Sequence, residues 1–429
     1  MKYYFADTDK RKIKKDIEIL IIRAEKSRKE EEISKEENEQ RNIFSIKKDS
    51  ISINSFKKQL ENNSLEKTVL EKQNKFNSLI NESMMKNGED IKESNYKINP
   101  NNIQLFTNIT KDSYADYILD NTFALFTSID DIIYLVYSNS KKSIISYNLI
   151  DNKKINEIKN AHARDITNFR HFFDKDKKRD LLISISLSDN NLKLWNMNTF
   201  ECLIHLENVN KSGRLFSGCM FSENNANYII TSCAYGNNEP IKIFDINNNN
   251  IKEIKDSSES TYFIDIFFNK NLSKNYIITG NNGFIKSYDY NNNLVYHKYN
   301  DNDNNRHCSI IINSKEEKVE LIDSSYDGNI RIWDFHSGQL LNKIKVCNNG
   351  WLIGMCLWDN ENLFVGCGDK SIKLIDLKNG LINMNLNGFK NKVLCIKKIL
   401  HPKYGECLIS QEYEKEAIKF LSNNLCEYN

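Results

Sequence analysis

After residue 102 the chain alternates short runs of β-branched and aromatic residues with clusters of Asn, Asp and Gly. Runs of this kind, separated by turn-forming residues, are typical of β-strands joined by tight turns. Asn tracts, such as the one at residues 247–250, fall between the apolar runs and are typical of loops. The pattern therefore predicts an all-β domain over residues 102–429.

The first hundred residues follow a different pattern, without Trp or Cys and rich in Lys, Glu, Ser and Asn. Four apolar residues share one helix face at a 4-3-4 spacing, namely Ile13, Ile17, Leu20 and Ala24. We predict a charged, helical and partly disordered region over residues 1–101. Neither this stretch nor the looser one at residues 56–79 sustains heptads over three turns. A solvated tail and a short coiled coil that self-associates or binds a partner therefore remain alternatives.

Seven segments of the β-rich part share an apolar-x-aromatic-Asp or -Asn pattern, some of them in degraded form. The residues at the aromatic position, which we call anchors, are Tyr147, Trp195, Phe244, Tyr288, Trp333, Ile375 and Phe420. Successive anchors are 48, 49, 44, 45, 42 and 45 residues apart. A four-stranded propeller blade repeats every ~40–45 residues. The number and interval of the anchors predict a seven-bladed β-propeller.

Closure of such a ring requires an outer strand for the last blade. Phe420 leaves only nine residues after it, whereas residues 103–109 precede the strands of the first blade. We therefore expect residues 103–109 to pair with the last blade, which would remove an exposed sheet edge.

The repeats resemble those of the WD-repeat (WD40) family, over roughly residues 103–424. The fullest match, LIDSSYDGNIRIWD, ends at Asp334 and is preceded by a histidine. In this blade the resemblance implies a hydrogen-bonding network of four residues: His307, Ser325, Asp327 and Trp333. Such a network would give each buried polar group a partner.

The second-best match to the family lies in the second blade. There the resemblance implies a network of His162, Asp189 and Trp195, with the hydroxyl left open between Ser186 and Ser188.

Net charge and cysteine usage limit which cellular compartment and which class of partner we expect. The chain has 60 Lys and Arg against 58 Asp and Glu, a formal net charge of +2, which gives no global attraction to nucleic acid. The most apolar early stretch, residues 17–22, is too short to span a membrane. The ten cysteines lack C-x-x-C spacing and are read as reduced thiols. We expect a cytoplasmic protein, with the nucleus as the alternative, and no membrane association.

Candidate chemistry along the chain is sparse. Asp301, Asp303 and Asn305 are similar to the start of a calcium loop, but Arg306 and Ile312 stand where Gly and Glu are required. No set of residues has zinc-ligand spacing, and no nucleophile with a base recurs at an interpretable spacing. We therefore expect no metal, no cofactor and no catalytic activity.

In WD-repeat proteins, partners usually bind the face formed by the loops that lead into each inner strand. Carried over blade by blade, the resemblance places six candidate partner-binding residues on this face: Arg164, Arg214, Tyr262, Arg306, Trp351 and Lys390. Arg and aromatic residues dominate binding energy at protein interfaces. The expected function is a non-catalytic scaffold for protein or peptide partners. The alternative is a subunit or substrate receptor of a ubiquitin-ligase or RNA-processing assembly.

Overall fold

The β-rich runs form strands throughout the part of the chain that the computed structural model describes. These residues are 104–422, with gaps at 111–112, 116–118, 236–238, 249, 255–258, 316–317, 349 and 415–417. The helical region predicted at residues 1–101 lies outside them. The described strands form seven antiparallel sheets of four strands each, which are the blades of a propeller.

The first three blades are each built from four consecutive strands. Blade one contains β2 (Phe123–Thr127), β3 (Ile133–Ser138), β4 (Ile144–Asn148) and β5 (Lys153–Ile158). Blade two contains β6 (Asn168–Asp174), β7 (Arg179–Ser186), β8 (Asn191–Asn196) and β9 (Glu201–Leu206). Blade three contains β10 (Arg214–Glu223), β11 (Ala226–Ala234), β12 (Ile241–Asp245) and β13 (Ile251–Ile254).

Blades four to six repeat this order. Blade four contains β14 (Thr261–Asn269), β15 (Lys274–Asn281), β16 (Ile285–Asp289) and β17 (Leu294–Tyr299). Blade five contains β18 (His307–Ser314), β19 (Val319–Ser325), β20 (Asn329–Asp334) and β21 (Leu340–Lys345). Blade six contains β22 (Leu352–Leu357), β23 (Asn362–Cys367), β24 (Ile372–Asp376) and β25 (Leu381–Leu386).

Blade seven joins the two ends of the described chain. It contains β26 (Val393–His401), β27 (Gly405–Glu412), β28 (Lys419–Ser422) and, as its outer strand, β1 (Gln104–Asn108). Gln104 pairs with Ser422, and Asn108 pairs with Lys419. The predicted closure by residues 103–109 is confirmed, as is the seven-bladed propeller itself.

All seven predicted anchors lie in the third strand of a blade, and the first six occupy equivalent positions. Trp333, for example, pairs with Leu321, four residues before the end of β19. In blade seven the equivalent residue is Leu421, which pairs with Leu408, so the choice of Phe420 was wrong by one residue. Because side chains alternate between the two faces of a strand, this shift matters. Leu421 packs towards blade six, and Phe420 packs towards blade one.

The core lies between adjacent blades. Each first strand contacts the first strand of the next blade, and β26 contacts β2, so the inner strands form a closed ring. Between blades seven and one, for instance, Ile409 and Phe420 pack against Phe123 and Leu135. Burial of these apolar faces is the main favourable contribution to the ring.

The central channel contains a cavity of about 280 Å³ that both polar and apolar residues line. Arg170 on β6 forms an ion pair with Asp265 on β14 at 3.2 Å. Ser309 on β18 donates a hydrogen bond of 2.7 Å to Asp120, which precedes β2. These contacts join blades on different sides of the channel.

Antiparallel pairing divides the connections between two ends of the propeller. The upper face carries the turns between second and third strands and the loops between blades. The lower face carries the turns between first and second and between third and fourth strands. Within the described residues, no helix is long and apolar enough to cross a bilayer.

Candidate binding surface on the upper face

A β-bulge recurs near the start of the first strand in blades three to seven. In blade five, for example, the register shifts between His307 and Ser309. A bulge bends the strand and redirects the neighbouring side chains. The residues just before these bulges occupy equivalent positions on the upper face: Arg214, Ser260, Arg306, Trp351 and Lys392.

A tyrosine directly follows the second strand in every other blade of the same series. These residues are Tyr235 after β11, Tyr326 after β19 and Tyr413 after β27. Tyr235 is 61% exposed and has a φ of 59°, a conformation that bulky residues seldom adopt. The turns of blades three, five and seven therefore each present an aromatic ring at the upper face.

Arg306 connects the rings of three blades. Its guanidinium carbon lies 4.0 Å from the ring centre of Tyr262, 4.9 Å from that of Phe216 and 5.1 Å from that of Tyr326. Its Nη1 also donates a hydrogen bond of 3.1 Å to the Tyr326 hydroxyl. A guanidinium within about 6 Å of a ring face is attracted by the ring quadrupole. The arginine is therefore held in place by aromatic faces.

The stack continues towards blade seven. The rings of Tyr326 and Trp351 are stacked with centres 4.8 Å apart and planes 13° from parallel. The Nζ of Lys392 lies over the ring of Trp351, 3.9 Å from its centre. The same Nζ is 5.9 Å from the ring centre of Tyr413. Cation and aromatic groups thus alternate from Arg306 to Tyr413.

We name this connected set the cation–aromatic arc. It consists of Phe216, Tyr235, Tyr262, Arg306, Tyr326, Trp351, Lys392 and Tyr413. Phe216 and Tyr262 are buried and support the arc from below, whereas the other six members are at least partly exposed. The arc covers the upper face from blade three to blade seven.

A pocket of about 460 Å³ opens beside Tyr326 and Trp351, between blades five and six. Gly350 and Gly368 lie along it. A Cβ on Gly368 would come within 2.8 Å of the Trp351 backbone nitrogen, so no side chain fits at this position. The close contact of the two glycine backbones leaves the pocket open beside the rings.

Carboxylates on the upper face are neutralised by a cation that recurs in the third strands. Two residues before the anchor position, blades three to seven carry Lys242, Lys286, Arg331, Lys373 and Lys419. These cations pair with upper-face or adjacent carboxylates, for example Lys242 with Glu239 at 3.1 Å and Lys373 with Asp369 at 2.8 Å. By contrast, neither Arg306 nor Lys392 forms an ion pair with a carboxylate of the described residues.

Three of the six residues predicted to bind a partner belong to the arc: Tyr262, Arg306 and Trp351. Arg164 lies on the same face, where its backbone N–H donates a hydrogen bond of 2.8 Å to Asp189. Arg214 and Lys390 are exposed on this face outside the arc. In blade seven, the residue equivalent to Arg306 and Trp351 is Lys392, two positions after Lys390.

Sequence reasoning missed the other five members of the arc. These are Phe216, Tyr235, Tyr326, Lys392 and Tyr413. The tyrosines after the second strands in alternate blades are a sequence signal that, once the strand ends are known, identifies three of them.

The hydrogen-bonding networks of blades two and five differ from those that the resemblance implied. In blade five, one buried carboxylate, Asp323, accepts hydrogen bonds of 2.6 Å from Trp333 Nε1 and 2.6 Å from His307 Nδ1. Ser325 and Asp327 do not join these two residues. The Oγ of Ser325 accepts from the backbone N–H of Asp327 (3.4 Å), whose carboxylate pairs with Arg331.

In blade two the acceptor is Ser184, and neither Ser186 nor Ser188 takes this place. Its Oγ accepts from Trp195 Nε1 at 2.8 Å and lies 2.7 Å from His162 Nε2. Asp189 does not bond to His162. Its carboxylate accepts from the Arg164 backbone and from the Ser186 hydroxyl at 3.2 Å.

The different acceptors give the two histidines different charge states. Burial lowers the pKa of His162 to about 3, and the nearby Lys193 acts in the same direction, so this imidazole is neutral. Burial also acts to lower the pKa of His307, but the carboxylates of Asp323 and Asp303 outweigh it and raise the pKa to about 9. His307 is therefore protonated at neutral pH.

Asp301 and Asp303, which are similar to the start of a calcium loop, pair with a cationic side chain of the protein itself. Arg331, fully buried, forms ion pairs with Asp301 at 2.8 Å, Asp303 at 2.6 Å and Asp327 at 2.5 Å. Lys343 also pairs with Asp301 at 2.6 Å. Although burial alone would raise the pKa of Asp301, these cations hold it well below its usual value.

No family model matches this chain, and a search of curated proteins likewise finds no match. Within the described part of the chain, no group of three or more His, Cys, Asp or Glu side chains is arranged to hold a metal ion. The geometry of the upper face is thus the basis for assigning a function.

Proposed function

We propose that this protein is a non-catalytic interaction platform of the WD-repeat type, which binds a protein or peptide partner on the cation–aromatic arc. The observation that carries the proposal is the arc itself, a connected run of aromatic and cationic side chains on one rigid face, six of the eight at least partly exposed. Tyr, Trp and Arg are the residue types over-represented among interface hot spots. Their enrichment in one connected patch fits a site that buries them against a partner.

The closed ring provides a rigid support for this surface. The arc takes residues from five blades, and each of them lies next to a bulge or at the end of a strand. Sites held by strands of a packed scaffold lose less entropy on binding than sites on flexible loops. The unpaired state of the nine described cysteines fits a reducing compartment, and we place the protein in the cytoplasm or nucleus as part of the same proposal.

Affinity capture from native cells with the full-length chain tests the proposal. The decisive variant is Tyr326→Ala with Trp351→Ala, which removes the centre of the arc. Phe268→Ala is the matched control, because Phe268 is an aromatic residue 52% exposed on the lower face. We expect the double variant to lose partners that the wild type and the control retain, while its melting curve still shows a cooperatively folded propeller.

A chain that begins at residue 102 separates the propeller from the region before it. If partners are retained by the arc variant but lost from the shortened chain, binding depends on residues 1–101 and the proposal is wrong.

A further inference from the structure

The chemistry of the arc indicates which partner it fits. We infer that the arc binds an extended acidic segment that carries an aromatic or apolar side chain between two carboxylates. The inference rests on the proposed function, since it specifies the partner of the same surface.

The charged groups around the arc differ in whether they already have a partner of opposite charge. Two carboxylates beside the arc already have cationic partners within the protein: Asp327 pairs with Arg331, and Asp369 pairs with Lys373 at 2.8 Å. Arg306 and Lys392 instead contact ring faces, with no ion pair to a described carboxylate. Ring faces attract a cation but carry no net charge. These two positive charges therefore remain available to carboxylates of a partner.

Exposed cations around the arc act in the same direction. Lys211, Arg214 and Lys370 are all exposed on the upper face. Exposed cations at a binding surface favour encounter with partners of the opposite charge.

The spacing of the two charges defines the length of the segment. From the Arg306 guanidinium to the Lys392 ammonium, the arc passes through contacts of 5.1, 4.8 and 3.9 Å, so the two groups are at most about 14 Å apart. An extended chain advances about 3.3 Å per residue and turns alternate side chains to one face. Carboxylates two or four residues apart therefore match the two cations.

The pocket between the two cations accounts for the middle of the segment. It lies beside the stacked rings of Tyr326 and Trp351 and has a volume of about 460 Å³. An aromatic side chain placed there would bury apolar area against both rings. In an extended segment with carboxylates four residues apart, the residue midway points to the same face and reaches this pocket.

Fluorescence titration of the full-length protein with designed peptides tests the inference. The probe is a seven-residue serine-framed peptide with Glu at its second and sixth positions and Phe at its fourth. Matched peptides carry Gln or Lys in place of Glu. Trp351 is the one tryptophan of the four that is not buried, so its emission reports contact with the arc.

We expect the Glu peptide to bind at least about ten-fold more tightly than the Gln peptide, and the Lys peptide to bind more weakly still. Raising the salt concentration should weaken only the binding of the Glu peptide. The Arg306→Gln, Lys392→Gln double variant should lose this preference, and the Arg306→Glu, Lys392→Glu variant should prefer the Lys peptide. Lys177→Gln is the matched control, since it removes an exposed cation from the lower face.

Equal affinity for the Glu and Gln peptides, including no measurable binding of either, overturns the inference. An unchanged preference for the Glu peptide in the Arg306→Gln, Lys392→Gln variant also overturns it. Thermal melting of each variant shows whether the propeller is intact, and the conservative Arg306→Lys variant, which keeps the charge, should keep the preference. If the peptides fail while the Tyr326→Ala, Trp351→Ala variant still loses its captured partners, the acidic partner is refuted and the proposed function stands.

Discussion

His307 couples the stability of blade five to pH. Its side chain is 1% exposed and lies between the carboxylates of Asp323 and Asp303, at 2.6 and 3.5 Å. Burial disfavours its charge, but the two carboxylates raise its pKa from 6.5 to about 9. A rise of this size corresponds to about 3 kcal/mol of stability. Because the folded state binds this proton more tightly than the unfolded state, the stabilisation is complete below pH 6.5 and is lost as the pH rises to 9.

Asp323→Asn removes the charge that holds this proton and keeps the size of the side chain. We expect the variant to be less stable than the wild type by about 3 kcal/mol at pH 6, because the protonated imidazole loses its main partner. At pH 9 the wild type has lost most of the same stabilisation. The difference between the two proteins should therefore narrow as the pH rises.

Urea unfolding followed by circular dichroism at pH 6, 7.5 and 9 measures this difference. Ser184→Ala is the matched control, since it removes the equivalent acceptor in blade two. The pKa of His162 is lowered to about 3, so its imidazole is neutral throughout this range and the control difference should not change with pH. A constant difference between wild type and Asp323→Asn from pH 6 to 9 would refute a protonated His307.

Three further predictions concern the scaffold. Trp333→Ala should lower the free energy of unfolding, measured by urea titration, by ~3–5 kcal/mol, because a buried anchor is lost. Trp351→Ala removes a partly exposed side chain, so the same titration should show less than half of this change. A chain beginning at Ile109 lacks β1 and exposes the edge of β28, so it should melt lower and self-associate in size-exclusion chromatography, unlike one beginning at residue 102. Gly328→Ala should destabilise the protein far more than Gly380→Ala. Both glycines have a positive φ (77° and 71°), but only a Cβ on Gly328 would clash, 2.1 Å from the Cys347 carbonyl oxygen. Equal shifts in melting temperature would contradict this.

The sequence determined the architecture because each blade is a local unit. Four strands and three turns recur at nearly constant length, so the period, the number of blades and the third strands could be read from the chain alone. Ring closure also followed, since residues 103–109 had no other sheet to join. The choice of Phe420 in place of Leu421 shows where prediction from the sequence ends. A degraded motif leaves the register of a strand uncertain by one residue, and that residue decides which neighbouring blade is contacted.

The tertiary structure decided the partners of the polar groups. The turn between second and third strands has four residues in blade two and three in blade five, so counting back from the tryptophan does not find the acceptor. Strand pairing places Ser184 and Asp323 at equivalent positions, each two residues beyond the leucine that faces the tryptophan. Only the folded structure shows that His162 contacts a hydroxyl and His307 a carboxylate, so that the first is neutral and the second is positively charged.

The cation–aromatic arc likewise exists only in the folded ring. Its members run from Phe216 to Tyr413, nearly two hundred positions along the chain, and they meet because five bulges and three turns converge on one face. A repeat pattern specifies how each blade folds within itself. Which side chains of different blades touch depends on how the blades pack around the channel, and that packing is a property of the closed ring as a whole.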